Sequence, residues 1–583
     1  MEELEARFQH HLSRMYPAAE VPALTRALLQ RVEPMEGSEG AQSLATADQP
    51  KWSQQDVMLI TYGDSVRRPE ESSLVTLKRF YDRHLKGVVS GLHILPFYPF
   101  SSDDGFSVVD YRAVREDLGS WQDVEALAAE ATLMADFVIN HASAEHEWFR
   151  QFLAGEKPGA DYFITHPADT DVSEVVRPRP HRVLVPFDTA SGRRHVWATF
   201  SDDQVDLDFS NPELFLEMVD VLLFYIAQGA TWIRLDAVGF LWKELGTPCI
   251  HLPQTHEMIR LLRVVAEAVE PRVVLISETN VPNLENLSYF GNRNEAHSIY
   301  NFSLPPLLLD GLVQGRSTHL NAWMMSMPPA PYGCTYFNFT ASHDGIGLRP
   351  AEGLLEPEDI ETLVATMRGF GGEISKRALA DGSLAPYEIN ITLFDALKGT
   401  VDGEDAFQEA RFLCSQAVML GLEGVPAIYI HSLLACPNDH EGVAATGRKR
   451  SINRRRWDEE ELEALLADDE SPQARVLERL GRLIRIRRRQ PAFHPNATQY
   501  TLQLGDALFG FWRQSPRREQ SIFAVHNLRP ETRRLPLSSL NLVATDGWRD
   551  LIADQPVDDL GAVLELAPYQ SIWLTNFIVD PED

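Results

Sequence analysis

The feature that most constrains the fold is a regular alternation of short apolar runs with amphipathic helical stretches, which begins at Val57. Runs with strand character occupy 57–62, 91–96, 134–139, 230–235 and 273–277. Apolar residues recur at helical spacing over 74–85, 124–131, 212–228 and 258–269. Strands that alternate with helices form parallel sheets, and repeated βα units on this scale predict a closed barrel. We therefore predict an α/β fold built on a (β/α)8 barrel.

The 583 residues exceed a single barrel and divide into four parts. Residues 1–50 predict two short helices that pack as an N-terminal extension, followed by a linker rich in Gly, Ser and acidic residues. The barrel is assigned to 51–144 and 200–490. Because the stretch 145–199 after the third strand is too long for an ordinary βα loop, we expect it to form a small inserted domain. Short strand-like runs predict a C-terminal β-domain over 491–583.

The charge balance and the cysteines exclude several classes of function. The formal net charge is −31, which argues against nucleic acid and anionic membrane surfaces as partners, because both require a basic footprint. No secretory signal and no long apolar span occur, so we expect a cytoplasmic protein. No oligomeric state follows from these features. A disulfide framework or a zinc site is not expected, because no C-x-x-C pair occurs among the four cysteines, Cys249, Cys334, Cys414 and Cys436.

Polar side chains follow three of the predicted strands and a further apolar stretch, 336–341, at the point where each one ends. They are Asn140 and His141, then Asp236, then Glu278, and finally His343 with Asp344. A (β/α)8 enzyme gathers its active site from the carboxyl ends of different strands. A single Asp at such a position usually caps a helix, but three carboxylates on one rim are not explained in that way. The sequence therefore predicts an active site that contains Asp236, Glu278 and Asp344.

The chemistry that suits these carboxylates is glycoside cleavage with retention, in which one attacks the anomeric carbon and another protonates the leaving oxygen. Arg234 points to the same side of its strand as Asp236, and we expect its charge to keep that carboxylate ionised. Glu278 follows an apolar strand, where loss of water raises a carboxyl pKa towards that of a working acid. His141, His343 and Asp344 are expected to hold sugar hydroxyls. Such a reaction needs neither a metal nor an organic cofactor.

Several other charged residues have a structural interpretation. Asp136, inside its strand, is expected to support the site from behind, and His93 and His297 to be satisfied structural histidines. The basic run of the last barrel helix is expected to form a solvated face; it comprises Arg482, Arg485 and Arg487 to Arg489.

Four motifs resemble the signature regions of the α-amylase family of glycoside hydrolases and occur in that family's order. They are Asp136-Phe-Val-Ile-Asn140-His141, Trp232-Ile-Arg234-Leu-Asp236, Ile276-Ser-Glu278-Thr and Phe339-Thr-Ala-Ser-His343-Asp344. Further stretches resemble the sucrose-phosphorylase branch of that family, which transfers glucosyl groups to and from phosphate by double displacement. They include Leu59-Ile-Thr-Tyr-Gly-Asp64, Asp103-Asp-Gly-Phe106, Phe200-Ser-Asp-Asp-Gln204 and Tyr300-Asn-Phe-Ser-Leu-Pro-Pro. The likeness extends from about Val57 to the C-terminus.

The resemblance assigns roles to individual residues. It implies that Asp236 is the glucosylated nucleophile, Glu278 the acid/base and Asp344 the transition-state stabiliser. It further implies that the donor glucose is supported by residues with substrate-binding roles: Arg234, His141, His343, Asp103, Arg454, Phe106, Phe200 and Gln204. Tyr387, in a stretch that differs from the branch's usual acceptor loop, is added as a substrate-binding residue. The implied partners are a small sugar substrate and inorganic phosphate.

The sequence departs from sucrose phosphorylases in the acceptor region. Phe240 stands where a Tyr is common, and Glu278-Thr-Asn280 replaces a Glu-x-His pattern. These departures resemble relatives that act on glucosylglycerate, our first hypothesis, or on sucrose 6-phosphate, the second. Two basic clusters favour an anion site: Arg177, Arg179, His181 and Arg182, and Arg448, Lys449 and Arg450. A sucrose or glucosylglycerol phosphorylase, a hydrolase or transglucosidase of the same fold, and a non-catalytic carbohydrate-binding relative stay open as alternatives.

Overall fold

Eight parallel strands close into a barrel in the computed structural model, which describes residues 2–33, 51–378, 383–544 and 546–576. We name the barrel strands β1–β8 in chain order. They are β1 Met58–Thr61, β2 Gly91–Ile94, β3 Thr132–Phe137, β4 Ala230–Leu235, β5 Val274–Ser277, β6 Ser298–Tyr300, β7 Thr335–Phe339 and β8 Val425–Tyr429. The predicted barrel is confirmed. The linker predicted over 37–50 lies outside the described residues.

The barrel strands are almost completely buried because helices cover the outside of the sheet. The larger helices of this layer are Ser73–Phe80, Trp121–Ala128, Pro212–Ala227, Pro253–Val269, Leu304–Gln314, Gln408–Gly421 and Pro472–Arg488. Pro residues begin three of them, since a proline at the first helical position loses no hydrogen bond there. No helix within the described ranges is both long and apolar enough to cross a membrane.

The two N-terminal helices, Glu2–Leu12 and Val21–Val32, pack against the barrel helices that follow β3 and β4. Glu257 accepts hydrogen bonds from Arg14 at 2.6 Å and contacts the His11 ring at 2.8 Å. Arg31 donates two hydrogen bonds to Asp220, at 2.7 and 2.9 Å. The extension is therefore a packing element on the outside of the barrel, as the sequence predicted.

Two long loops at the carboxyl end of the barrel carry sheets of their own. After β3, Thr165–His166, Leu184–Thr189 and Gly192–Trp197 form an antiparallel sheet, and His141–Ser143 pairs with Gln204–Asp206. After β7, a second antiparallel sheet contains Ile346–Gly347, Glu373–Ala378 and Leu384–Asn390. These loops place side chains over the open end of the barrel, where the active sites of barrel enzymes lie.

The chain beyond the last barrel helix is mostly antiparallel sheet. Six strands pair in the order Thr498–Thr501, Leu508–Gln514, Ser521–Asn527, Ser571–Thr575, Trp548–Asp550 and Gln555–Val557. Arg533–Pro536 pairs with Val563–Leu566, and this second sheet packs with the first around a separate apolar cluster. The C-terminal β-structure that the sequence predicted is therefore confirmed as antiparallel sheet.

One part of the helix Pro472–Arg488 contradicts the predicted solvated basic face. Arg487 is fully buried, and its guanidinium donates to the backbone carbonyls of Leu420 at 3.0 Å and Phe493 at 3.1 Å. The prediction was wrong for Arg487 because these carbonyls come from distant segments that would otherwise be buried without a donor. Arg482, Arg485 and Arg489 are exposed, as expected.

Candidate active site

The barrel register brings the predicted polar residues to one rim. Asp236 follows the last residue of β4, and Glu278 follows the last residue of β5. The two strands are hydrogen-bonded neighbours, with Leu235 beside Ser277. Arg234 on β4 lies opposite Asp136 on β3. Neighbouring parallel strands that end at the same level therefore place the two carboxylates in one pocket.

That pocket is lined by every site residue that the sequence predicted except Arg454. The predicted residues found there are Asp103, Phe106, His141, Phe200, Gln204, Arg234, Asp236, Glu278, His343, Asp344 and Tyr387. They lie on or after the carboxyl ends of five barrel strands, β2, β3, β4, β5 and β7. The residues are thus brought together, while their roles towards a substrate stay a prediction.

Arg234 forms the centre of the buried charge network. Its Nη1 contacts Asp236 Oδ1 at 2.7 Å and Asp136 Oδ1 at 2.5 Å, and its Nη2 lies 3.8 Å from Glu278 Oε2. Asp136 also contacts His93 Nε2 at 2.7 Å. Asp136 and His93 therefore hold Arg234 from behind, as predicted, and His297 is likewise structural, because its ring contacts the Glu267 carboxylate at 2.8 Å.

Both central carboxyls bind protons more tightly than free side chains do. Burial raises the pKa of Asp236 to about 7 and the pKa of Glu278 to about 7, against the opposing effect of Arg234. The prediction that Arg234 keeps Asp236 ionised therefore needs correction, because loss of water is the larger effect. The shorter contact of Arg234 with Asp236 favours the negative charge on Asp236 and the shared proton on Glu278. That is the protonation state that a nucleophile and a general acid require.

The backbone after Asp236 adopts an uncommon conformation that orients Glu278. Ala237 has φ of 51°, in the left-handed region that side chains other than glycine seldom occupy. In this conformation its N–H donates a 3.0 Å hydrogen bond to Glu278 Oε2. Such strain is of order 1–3 kcal/mol and persists where the surroundings enforce it. The residue that follows Asp236 thereby fixes one carboxyl oxygen of Glu278.

Asp344 lies in a strongly positive environment. Burial alone would raise its pKa, but the guanidinium groups of Arg450 and Arg454 hold the pKa of Asp344 below its ordinary value. Arg450 Nη1 contacts Asp344 Oδ1 at 2.5 Å, while its Nη2 donates to Glu388 at 2.7 Å. The pKa of His343 is lowered well below its ordinary value by burial and nearby guanidiniums, so its ring is neutral. Asp344 therefore stays ionised beside two carboxyls that share a proton.

The basic clusters are arranged differently from the predicted anion sites. Arg450 neutralises carboxylates of this chain, and Lys449 donates to the Ile374 carbonyl at 2.6 Å. Arg454 pairs with Asp104, rather than lying with Asp103 around the pocket, and its Nε donates to the His343 carbonyl at 2.9 Å. Direct contact of Arg454 with a sugar stays a prediction; in this structure it lies behind Asp344.

Aromatic rings form one wall of the pocket. Phe106 stacks on His343 with 4.9 Å between ring centroids, and its ring lies 5.4 Å from the Arg234 guanidinium carbon. Phe200 contacts His141 at 5.3 Å and Phe240 at 5.4 Å between centroids. Aromatic faces beside a developing positive charge stabilise it, so this wall suits an oxocarbenium-like transition state.

Sequence reasoning missed three charged residues that support the site, namely Glu388, Lys243 and Asp206. Glu388 is fully buried and holds Arg450, and Lys243 donates to Asn140 Oδ1 and lies against Asp206, both at 2.7 Å. The pairing of Arg450 with Asp344 was missed too, because the two residues are far apart in the chain. No local pattern marks such pairs. Within the described residues, no group of three or more His, Cys, Asp or Glu side chains is arranged to hold a metal ion.

Two arginines of the pocket have no anionic partner. Arg179 lies over the Tyr387 ring, 5.6 Å from its centroid, and Arg349 begins the short turn Arg349–Ala351. Within the part of the chain that the structure describes, neither guanidinium makes an ion pair or a hydrogen bond. Of the basic cluster at 177–182, Arg179 alone lines this pocket. Unpaired cations in a chain of net charge −31 indicate that the pocket binds anions.

Comparison with known proteins agrees with the family resemblance of the sequence motifs. Residues 84–326 match the family model described as the catalytic domain of α-amylase. A glucosylglycerate phosphorylase of Allomeiothermus silvanus is 46% identical over 459 residues, covering 78% of this chain and 82% of the relative. A glucosylglycerate phosphorylase of Escherichia coli K12 is 42% identical over 542 residues, covering 92% of this chain and 95% of the relative. The chain thus spans nearly the whole length of these relatives.

The same fold is found in a solved structure. The crystal structure of sucrose 6F-phosphate phosphorylase from Thermoanaerobacter thermosaccharolyticum superposes with a TM-score of 0.72 at 24% identity, over 88% of this chain and 98% of that one. At this identity the likeness concerns the fold.

Proposed function

The chain belongs to the α-amylase family, in the group of glucoside phosphorylases, and we propose that it catalyses the reversible phosphorolysis of glucosylglycerate. The products are α-glucose 1-phosphate and glycerate. The observation that carries the chemistry is the arrangement of the Asp236 and Glu278 carboxyl groups around the Arg234 guanidinium, 2.7 and 3.8 Å from its nitrogens. The identities of 42–46% to glucosylglycerate phosphorylases support the choice of substrate. The enzyme is thus a hexosyltransferase that uses phosphate.

In the first step the glucosyl group moves to the enzyme. The Asp236 carboxylate attacks the anomeric carbon as the bond to the glycerate oxygen breaks, and Glu278 gives its proton to that oxygen. A β-glucosyl ester of Asp236 and free glycerate result. Asp344 stabilises the positive charge that develops on the sugar, and its low pKa keeps it charged for this role.

In the second step phosphate takes the place of glycerate. A phosphate oxygen forms a bond to the anomeric carbon while the ester bond to Asp236 breaks, and the proton of that phosphate returns to Glu278. Two inversions give net retention, so the product is the α-anomer. Arg179 lines the pocket without an ion pair among the described residues, and an unpaired guanidinium suits bidentate capture of phosphate. We propose Arg179 as a phosphate contact on this basis.

The proposal is tested by phosphate release from α-glucose 1-phosphate. Purified protein receives glycerate, fructose 6-phosphate, fructose, glycerol or no acceptor in separate reactions. We expect fast release with glycerate only. Fast release with fructose 6-phosphate instead would replace the proposed acceptor. Equal release in every tube would favour a hydrolase, and no release in any tube would refute phosphorolysis.

A further inference from the structure

The arginines of the active-site pocket fall into two pairs with different surroundings. Arg234 and Arg450 contact carboxylates of this chain, which neutralise the positive charges of the two guanidiniums. Arg179 and Arg349 contact none among the described residues. We propose that Arg349 binds the carboxylate of the acceptor and that Asn280 binds its free hydroxyl. This inference rests on the proposed function and names the residues that select glycerate.

Arg349 and Asn280 both line the pocket, and the chain segments that carry them approach each other closely. Asn280 follows Glu278 by two residues, so it lies where the leaving group departs. Gly347 approaches Asn280 so closely that a Cβ at this position would lie 2.7 Å from Asn280 Oδ1. A glycine at 347 thus lets the segment that carries Arg349 reach the segment that carries Glu278.

The backbone around Arg349 is fixed on both sides. The N–H of Leu348 donates to the Tyr387 carbonyl at 3.0 Å, and the Ser303 hydroxyl donates to the Pro350 carbonyl at 2.9 Å. The side chain, in contrast, has no partner within the described ranges, and its Nε is buried without a hydrogen bond. A binding group that is positioned by rigid neighbours and lacks an internal partner is preorganised for a ligand.

The chemistry of the two side chains matches glycerate. A guanidinium offers parallel N–H donors that fit the two oxygens of a carboxylate. Asn280 Oδ1 is also buried without a partner, so it can accept the hydrogen of a hydroxyl. In glucosylglycerate the glycosidic oxygen stands between a carboxylate and a hydroxymethyl group. When that oxygen faces Glu278, one arm reaches Arg349 and the other reaches Asn280.

The test compares glycerate with glycerol, which has the same carbon chain but no carboxylate. The variant Arg349→Gln is assayed with each acceptor and α-glucose 1-phosphate. We expect kcat/KM for glycerate to fall about 100-fold, because truncating one partner of a buried charged pair typically has effects of this size. The value for glycerol should change less than about 3-fold. Arg349→Lys, which keeps the charge but loses the fork, should recover part of the glycerate activity.

Two further measurements exclude a general effect. Exchange of labelled phosphate into α-glucose 1-phosphate, without acceptor, reports the glucosyl-transfer half of the reaction in each variant. Arg179→Gln removes the other unpaired pocket charge and should weaken phosphate exchange more than the preference for glycerate. Arg517→Gln, at a side chain that is 86% exposed, is the control for charge alone and should match the wild type.

The outcomes separate the two proposals. If the wild type does not use glycerate, the proposed function fails and this inference fails with it. If the wild type uses glycerate and Arg349→Gln keeps the wild-type ratio of glycerate to glycerol activity, the inference alone is overturned. A loss in phosphate exchange as large as the loss with glycerate would also overturn it, because Arg349 would then serve the site in general.

Discussion

The two sides of the active-site pocket differ in how their charges are balanced. On the side that faces the predicted donor glucose, Arg234 and Arg450 pair with buried carboxylates of the chain itself. On the side that faces the leaving group, Arg179 and Arg349 have no partner in the described residues. The charges of the first side are balanced by the chain itself, whereas those of the second are not, and we propose that the substrate supplies the missing anion.

This difference separates catalysis from specificity. A network that is already paired keeps the catalytic groups in place through both steps of a double displacement, when glycerate leaves and phosphate enters. Under the proposed function, the unpaired guanidiniums bind glycerate and phosphate in turn, so a permanent partner from the protein would oppose binding. Relatives with the same catalytic residues can therefore differ in their acceptor.

The largest effect is expected from substitution of the predicted nucleophile, Asp236, which lies on the side of the pocket where the charges are paired. Asp236→Asn should lower kcat by at least about 10⁴-fold, since loss of a nucleophile removes the covalent route. Steady-state phosphate release with glycerate measures this, and the exposed Asp169→Asn should match the wild type. Turnover within about 10-fold of the wild type would refute the assignment of the nucleophile.

A smaller effect is expected when a supporting pair is broken. Arg450→Gln should lower kcat/KM about 100-fold and move the acid limb of the pH profile to higher pH, because Asp344 loses a guanidinium that lowers its pKa. The pH dependence of kcat/KM measures both. Arg450→Gln alone leaves the Glu388 carboxylate buried without a partner, which destabilises the fold. The double variant Arg450→Gln with Glu388→Gln removes both charges, so it separates misfolding from the electrostatic effect on Asp344. An unmoved acid limb in the double variant would contradict the role of Arg450.

The smallest expected effect concerns stability. Burial raises the pKa of Glu278 from its ordinary 4.5 to about 7, so the folded protein retains a proton that the unfolded chain loses above pH 4.5. The stabilisation of the folded state by this proton is present below pH 4.5 and is lost as the pH rises through about 7. The glutamine of Glu278→Gln does not titrate. The Tm of the variant minus the Tm of the wild type should therefore be about 2 °C higher at pH 8 than at pH 5. Glu125→Gln, at an exposed side chain, should show no such trend; a reversed trend for Glu278→Gln would contradict the raised pKa.

Sequence patterns predicted the barrel because its signals are local. The strand Ala230–Leu235 was predicted to the residue, since its apolar run and the turn residues beside it define its ends. Asp236 and Glu278 were predicted as site residues for the same reason, since each directly follows a strand. The domain boundaries at 145–199 and 491–583 stay a prediction.

What the sequence did not predict depends on contacts between distant segments. Arg349 follows β7 and Arg450 follows β8, and both lie in segments without periodicity. Nothing local in the sequence indicates that Arg450 pairs with a carboxylate or that Arg349 has no such partner among the described residues. Arg487 looks like a surface residue until the carbonyls around it are known. The pKa of Asp236 was misjudged because desolvation by the surrounding fold exceeds the effect of the neighbouring Arg234.

Phosphorolysis of glucosylglycerate tests the central claim most directly. The protein is incubated with glucosylglycerate and phosphate, and the products are followed by ¹H and ³¹P NMR. We predict α-glucose 1-phosphate and glycerate in equal amounts, with no β-anomer at early times. Early β-glucose 1-phosphate would contradict the double displacement at Asp236, and free glucose without consumption of phosphate would contradict phosphorolysis.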